Sequence, residues 1–111
     1  MDLFVERKLK FKAWNKDTRL MMRLNAIDCT KGELHKRDHI LLQFTGFFDR
    51  DGEEIYDMDI LLLNHLRYVI HWNSEKNAWY VHSLSDGSER LLEKETTRKG
   101  NRLCSYFETN N

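Results

Sequence analysis

Proline is absent from the 111 residues, cysteine occurs twice and glycine five times. The missing proline assigns no function. Cys29 and Cys104 form neither a Cys-x-x-Cys pair nor the multi-cysteine framework of a small secreted domain, so two buried thiols are expected. The glycines stand singly at 32, 46, 52, 87 and 100, which excludes a Gly-x-Gly-x-x-Gly or phosphate-cradling loop. No apolar run approaches the length of a membrane span, and the opening Met1-Asp2-Leu3-Phe4-Val5-Glu6 lacks a signal peptide's apolar stretch. A cytoplasmic protein without membrane association is expected. Charge of one sign is also missing: 18 basic and 18 acidic side chains sum to zero. That removes the simplest argument for nucleic-acid binding, which rests on a basic surplus, and leaves little long-range repulsion between copies.

What is present points to a folded chain. Hydrophobic residues make up 41% and charged residues 32%, a globular balance. A chain of this size buries roughly two-thirds of its unfolded surface, enough for a core without metal or disulfide staples. No metal or cofactor is therefore expected. The charges are unevenly spread: residues 1–40 hold ten Lys/Arg against six Asp/Glu, residues 41–62 one against six, and residues 63–111 seven against six.

Period-two alternation dominates. From Arg7 to Trp14, Leu9, Phe11 and Ala13 share one face and Lys8, Lys10 and Lys12 the other, the pattern of a half-buried strand. Asn15-Lys16-Asp17-Thr18 then turns the chain, and Leu20, Met22 and Leu24 alternate with Arg19, Met21 and Arg23 to complete a hairpin. A weaker strand through Ile27 and Cys29 turns at Thr30-Lys31-Gly32 toward Leu34. His39 to Thr45 alternates again, and Asp49-Arg50-Asp51-Gly52 is a hairpin turn. Ile60 to Leu63 and Tyr68 to Trp72 form a hairpin about Asn64-His65, followed by a strand at Trp79 to His82 and a turn at Ser85-Asp86-Gly87-Ser88. Leu91-Leu92-Glu93-Lys94-Glu95 fits a helical turn or a strand equally, and Leu103 to Phe107 reads as a closing strand. Short strands at this spacing predict an all-β fold with at most one or two short helical turns.

Candidate chemistry is sparse. His35 and His39 have helical i, i+4 spacing but no helix to carry it, and His71 with His82, on adjacent strands, reads as a structural cross-strand pair. No metal ligands are assigned. Asp49, Asp51, Glu53 and Glu54 about Gly52 miss the EF-hand register, because that register puts Phe47 in the first ligand position. They read as hairpin-turn carboxylates. Asp49, Asp51, Asp57 and Asp59 could instead gather a divalent ion for hydrolysis. No serine-nucleophile elbow or cysteine-protease signature is present, so no catalytic residue is assigned. Lys8, Lys10, Lys12, Arg19 and Arg23 beside Trp14 have the composition of a single-strand nucleic-acid platform, lysines tracking phosphates and a ring stacking on bases.

Two stretches together resemble the YopX family, small proteins encoded largely by bacteriophages and prophages. They are Lys10-Phe11-Lys12-Ala13-Trp14-Asn15-Lys16, and Gln43-Phe44-Thr45-Gly46-Phe47 continuing through Asp49-Arg50-Asp51-Gly52-Glu53-Glu54-Ile55-Tyr56 to Asp59-Ile60. The chain departs from the family's usual Glu-Gly at Asp57-Met58, and its end matches at Gly100-Asn101. The resemblance implies a mainly β fold, a cytoplasmic setting and no established activity. Phe11, Trp14, Thr45, Gly46, Asp49, Gly52, Ile55, Tyr56 and Asp59 are expected to specify the fold. The predicted architecture is one compact domain over residues 1–111: a β-hairpin region to about residue 44, a signature turn over 45–58 and a small SH3-like barrel over 59–111. The leading functional expectation is a non-enzymatic binding or assembly module using an exposed sheet edge or groove, its partner a second copy or another protein. The single-strand nucleic-acid platform and the carboxylate hydrolase are the alternatives.

Overall fold

The computed structural model describes residues 3–110. The chain is mainly β, as the alternation predicts, with one short helix and one closing 3-10 turn. The strands are β1 (Phe11–Asn15), β2 (Met21–Arg23), β3 (Asp28–Thr30), β4 (Glu33–His35), β5 (His39–Phe48), β6 (Glu54–Tyr56), β7 (Asp59–Leu63), β8 (Leu66–Asn73), β9 (Ala78–Ser83), β10 (Glu89–Leu91) and β11 (Asn101–Ser105), with helix α1 (Lys94–Arg98) before β11. They form a four-stranded sheet in the order β2-β1-β5-β6, a five-stranded sheet in the order β10-β9-β8-β7-β11, and the separate hairpin β3-β4. The larger sheet curls into a half barrel whose margins are β10 and β11.

The 45–58 signature is itself part of the first sheet. β5 runs on to Phe48 and pairs with β6, with a register irregularity between Phe44 and Phe48. Gly46 sits in that irregularity at φ +87, a left-handed conformation that a side chain disfavours. Thr45 braces it, its Oγ1 donating to the Ile55 carbonyl at 2.8 Å and accepting from the Phe47 N–H at 3.1 Å. At Asp57-Met58 the chain crosses from β6 to β7, and Met58 takes φ +67. A glycine at this position would meet that requirement at lower steric cost.

One core cluster joins Ile55 to Leu61, Ile70, Val81 and Leu92, with Phe47, Tyr68 and Trp79 packed against it. Leu92 resolves the ambiguous 91–95 segment. β10 ends at Leu91, Leu92 turns into the core, and α1 follows, so both periods are used in succession.

Three local expectations are corrected. Leu9 was placed on the inner face of the first strand, yet it is 61% exposed, whereas Lys12 is half-buried. Lys12 shares its face with Trp14, and its ammonium sits 4.5 Å from the centre of the Tyr56 ring. Ala13, on the opposite side, is fully buried, so both faces of β1 are covered in part, and lysine's aliphatic stem tolerates its place among the rings. The thiols are not both buried: Cys29 is exposed on the β3-β4 hairpin, which lies on no sheet, and Cys104 is half-buried. The closing strand stops at Ser105, after which a 3-10 turn (Tyr106–Asn110) carries Phe107 onto Trp14, ring centres 5.7 Å apart.

The β7-β8 loop is two residues long, with Asn64 at φ +51 and His65 at φ +65. Such a type I′ turn favours glycine at its second position. His65 is exposed, so His65→Gly removes a left-handed penalty of about 1–2 kcal/mol against roughly 0.5–1 kcal/mol of added chain entropy. A net gain of about 0.5–1 kcal/mol is expected in urea unfolding. A loss would contradict the turn geometry.

Candidate functional site

The acidic signature is built into a clasp. Asp49 is 6% exposed at the end of β5, and its Oδ1 accepts the N–H groups of Asp51 and Glu53 at 2.8 and 2.9 Å. Its Oδ2 reaches across to accept the Arg102 N–H of β11 at 2.8 Å. Beside it the Arg50 N–H donates to the Gly100 carbonyl at 2.9 Å, and Asn101 Nδ2 donates to Asp51 Oδ2 at 2.6 Å. Gly100 fits because it has no side chain: a Cβ there would lie 2.9 Å from both Leu61 Cγ and the Leu62 carbonyl oxygen. The Gly-Asn at the chain's end and the Asp-x-Asp-Gly turn are thus two halves of one contact.

Asp59, 1% exposed at the start of β7, continues the clasp. Its Oδ2 accepts the Tyr56 N–H and Arg102 Nε, each at 2.8 Å, and Arg102 Nη2 lies 3.4 Å from Oδ1. Burial pushes the Asp59 carboxyl up from its ordinary value against the pull of Arg102. Burial alone would lower Arg102, but the bond and charge of Asp59, joined by the charges of Glu108 and Glu53, together outweigh it and hold the guanidinium up. Asp57 does not join Asp49 and Asp59 in a common centre. Its carboxyl is raised by burial and offset by a bond from the Trp72 backbone.

The basic set divides. Lys10, Lys12 and Arg23 line one groove of about 530 Å³ with Phe11, Glu54 and Tyr56. Within it Lys10 bonds Glu54, and the Tyr56 hydroxyl reaches Glu54 Oε1 at 3.3 Å. Burial, followed by the charge of Arg102, lowers the Lys12 ammonium. Trp14 lies elsewhere, 3% exposed under Phe107, with the Arg19 guanidinium 5.7 Å from its ring centre. Lys8 is exposed ahead of β1. Of the remaining signature residues, Ile55 is fully buried and Phe11 half-buried, while Gly52 closes the Asp49 turn at φ +82, its N–H donating to the Asp49 carbonyl.

His35 and His39 are not brought to a shared centre: His35 bonds Thr30 within the β3-β4 hairpin, and His39 contacts Arg37 and Met22. His71 and His82 do converge, with a partner the sequence reading missed. Glu89 on β10 stands directly opposite His82, and its Oε2 lies 2.8 Å from His71 Nε2 and 2.9 Å from His82 Nδ1. The turn at 85–88 carried the signal: folding the chain back about it sets residue 89 against 82.

A family model described as YopX protein matches residues 25–104. The signature at 43–60 lies inside that match and the Lys10–Lys16 stretch ahead of it. The match also runs on through Gly100-Asn101-Arg102, the half of the clasp that receives Asp49. No curated protein matches the chain. The match covers most of the 111 residues, and the chain belongs to the YopX family.

Proposed function

We propose that the chain is a non-enzymatic assembly module whose amino-terminal arm adds to a free sheet edge of a second copy. The arm carries this reading: Leu3, Phe4 and Val5 are 84, 81 and 76% exposed and belong to no strand or helix. Consecutive large apolar side chains left in water favour a partner that covers them. A receiving edge exists in β2, which lies at the margin of its sheet and has Leu20 61% and Met22 38% exposed. The two segments are complementary in charge. The arm reads Asp2-Leu3-Phe4-Val5-Glu6, and the edge with the turn leading into it reads Arg19-Leu20-Met21-Met22-Arg23, Arg19 standing in the turn at φ +59 and Met21–Arg23 forming the strand. Strand addition along Met21–Arg23, in either direction, brings one acid of the arm beside Arg23 and apolar beside apolar. A net charge of zero opposes such association little.

The alternatives have less support. Asp49 and Asp59 each accept their bonds from protein donors, which leaves them poorly placed to gather a hydrolytic ion. The aromatic ring that a nucleic-acid platform requires, Trp14, is covered by Phe107.

Sedimentation velocity over a range of concentrations tests the proposal. The wild-type chain should form concentration-dependent species heavier than a monomer, and Phe4→Asp or the pair Arg19→Glu/Arg23→Glu should return it to the monomer. Mixing the Arg19→Glu/Arg23→Glu chain with an Asp2→Lys/Glu6→Lys chain should restore association, because the charges again alternate. A wild-type monomer up to millimolar concentration, or association untouched by Phe4→Asp, would overturn it.

A further inference from the structure

We infer that His71, His82 and Glu89 form a binding site for a nitrogen-seeking divalent cation of the zinc class, with a coordination position left open. The site is on the half barrel, on a different sheet from the β2 edge, and does not depend on the assembly reading. Three adjacent strands supply one ligand each. Val69 of β8 pairs with His82 of β9, which pairs with Glu89 of β10, and His71 lies two residues along β8 from Val69 on the same face. One donor atom from each residue falls within 4.8 Å of the other two. Hydrogen-bonded strands hold that spacing more firmly than a loop would.

The donor atoms face one another in a way that calls for a positive centre. His71 Nδ1 lies 3.3 Å from the Trp72 carbonyl oxygen, an acceptor, and its Nε2 lies 2.8 Å from Glu89 Oε2, another acceptor. A neutral imidazole has one N–H and satisfies one of them. With Nδ1–H donated to the carbonyl, Nε2 presents a lone pair toward the carboxylate, and a cation between them satisfies both. A backbone carbonyl holding the distal N–H of a ligating histidine is the usual support of such a ligand.

The dimensions agree. Zinc binds nitrogen and oxygen at about 2.0–2.2 Å, which sets tetrahedral ligand atoms about 3.3–3.5 Å apart. Glu89 Oε2 is 2.8 and 2.9 Å from the two nitrogens, so a carboxylate shift of roughly half an ångström admits the ion. Two imidazoles with one carboxylate select zinc and its neighbours over magnesium and calcium, which prefer oxygen. Three protein ligands leave the fourth tetrahedral position for water or a small ligand. That position opens on a cavity of about 270 Å³ walled by Met58, Val69, Leu84 and Tyr106.

Titration of the chelator-treated full chain with Zn²⁺ alone, followed by calorimetry, tests the site. One Zn²⁺ per chain at micromolar affinity or tighter is expected, undisturbed by excess Mg²⁺, with a rise in melting temperature by mass action. His71→Ala, His82→Ala and Glu89→Gln should each weaken binding at least tenfold, while His35→Ala leaves it unchanged. X-ray absorption of the zinc-loaded wild-type chain reads the ligands without any variant and should find two imidazoles on the metal. No heat with Zn²⁺, binding carried by His35, or a spectrum without imidazole scattering would leave the three residues a hydrogen-bonded trio and overturn the site.

Discussion

Asp59→Ala and Arg102→Ala are each expected to lower the stability of this protein by about 3–5 kcal/mol, the loss typical of breaking a buried ion pair and stranding one charge. Asp59 is 1% exposed, and the side chain of Arg102 retains only 16% exposure. Removing the carboxylate deprives Arg102 Nε of its 2.8 Å partner and the Tyr56 N–H of its acceptor. Removing the guanidinium leaves a carboxylate whose ionisation burial already disfavours. Small domains hold about 5–15 kcal/mol in all, so either change removes a large part of the reserve. The double change Asp59→Leu/Arg102→Met strands no charge and should cost clearly less than either single change, because an apolar pair of similar volume often replaces a buried ion pair without loss. Urea unfolding of the three variants decides the matter. Single-variant losses below about 1 kcal/mol, or a double variant weaker than both, would show that the pair does not anchor β7 to β11.

The pair also marks where sequence reasoning stops. Alternation located β1, β5, β8 and β9 because each strand has one face on a core, and turn chemistry located the loops at 49–52, 64–65 and 85–88 because side chains or positive φ fix those locally. The acidic turn was legible as architecture from Asp49 and Gly52 alone. Its second half was not. Arg102 lies 43 residues from Asp59 and 53 from Asp49, and neither period nor turn chemistry constrains pairings at that separation. Glu89, seven residues from His82, was hidden for another reason: no return strand was read after the turn at 85–88, so nothing set it opposite His82.

The covering of both faces of β1 was missed for a different physical reason. Lysine at alternate positions usually means solvent, but Trp14, Leu42 and Phe44 share the side of Lys10 and Lys12 once β1 and β5 are in register. The large side chains cover that side as well, and the lysines adapt by lying against Tyr56 and Glu54. Trp14 was in view on β1 itself, but Phe44 and Tyr56 arrive from β5 and β6, which the β1 segment alone does not display. The exposure of Cys29 has a similar origin: β3-β4 is a hairpin without a third strand, so its alternation encloses nothing.

Asp49→Ala is expected to cost about 2–4 kcal/mol, although the substitution lies in a turn, where exposed changes usually stay within about 0.5 kcal/mol. One carboxylate accepts three backbone N–H groups, those of Asp51, Glu53 and Arg102, and alanine accepts none. Water can reach Asp51 and Glu53, which are exposed, so most of the loss is expected from the half-buried bond to the Arg102 N–H. Asp49→Asn separates these contributions. Its amide oxygen can keep the Asp51 and Glu53 bonds while its NH₂ group faces the Arg102 N–H, donor against donor, for an expected cost of about 1–2 kcal/mol. Amide hydrogen exchange supplies the local reading: in both variants protection at Arg102 should fall further than protection at Ile70 in the centre of the half barrel. Equal losses at the two amides would mean that the turn and β11 do not open separately from the sheet, and unchanged protection at Arg102 would mean that Asp49 holds only its own turn.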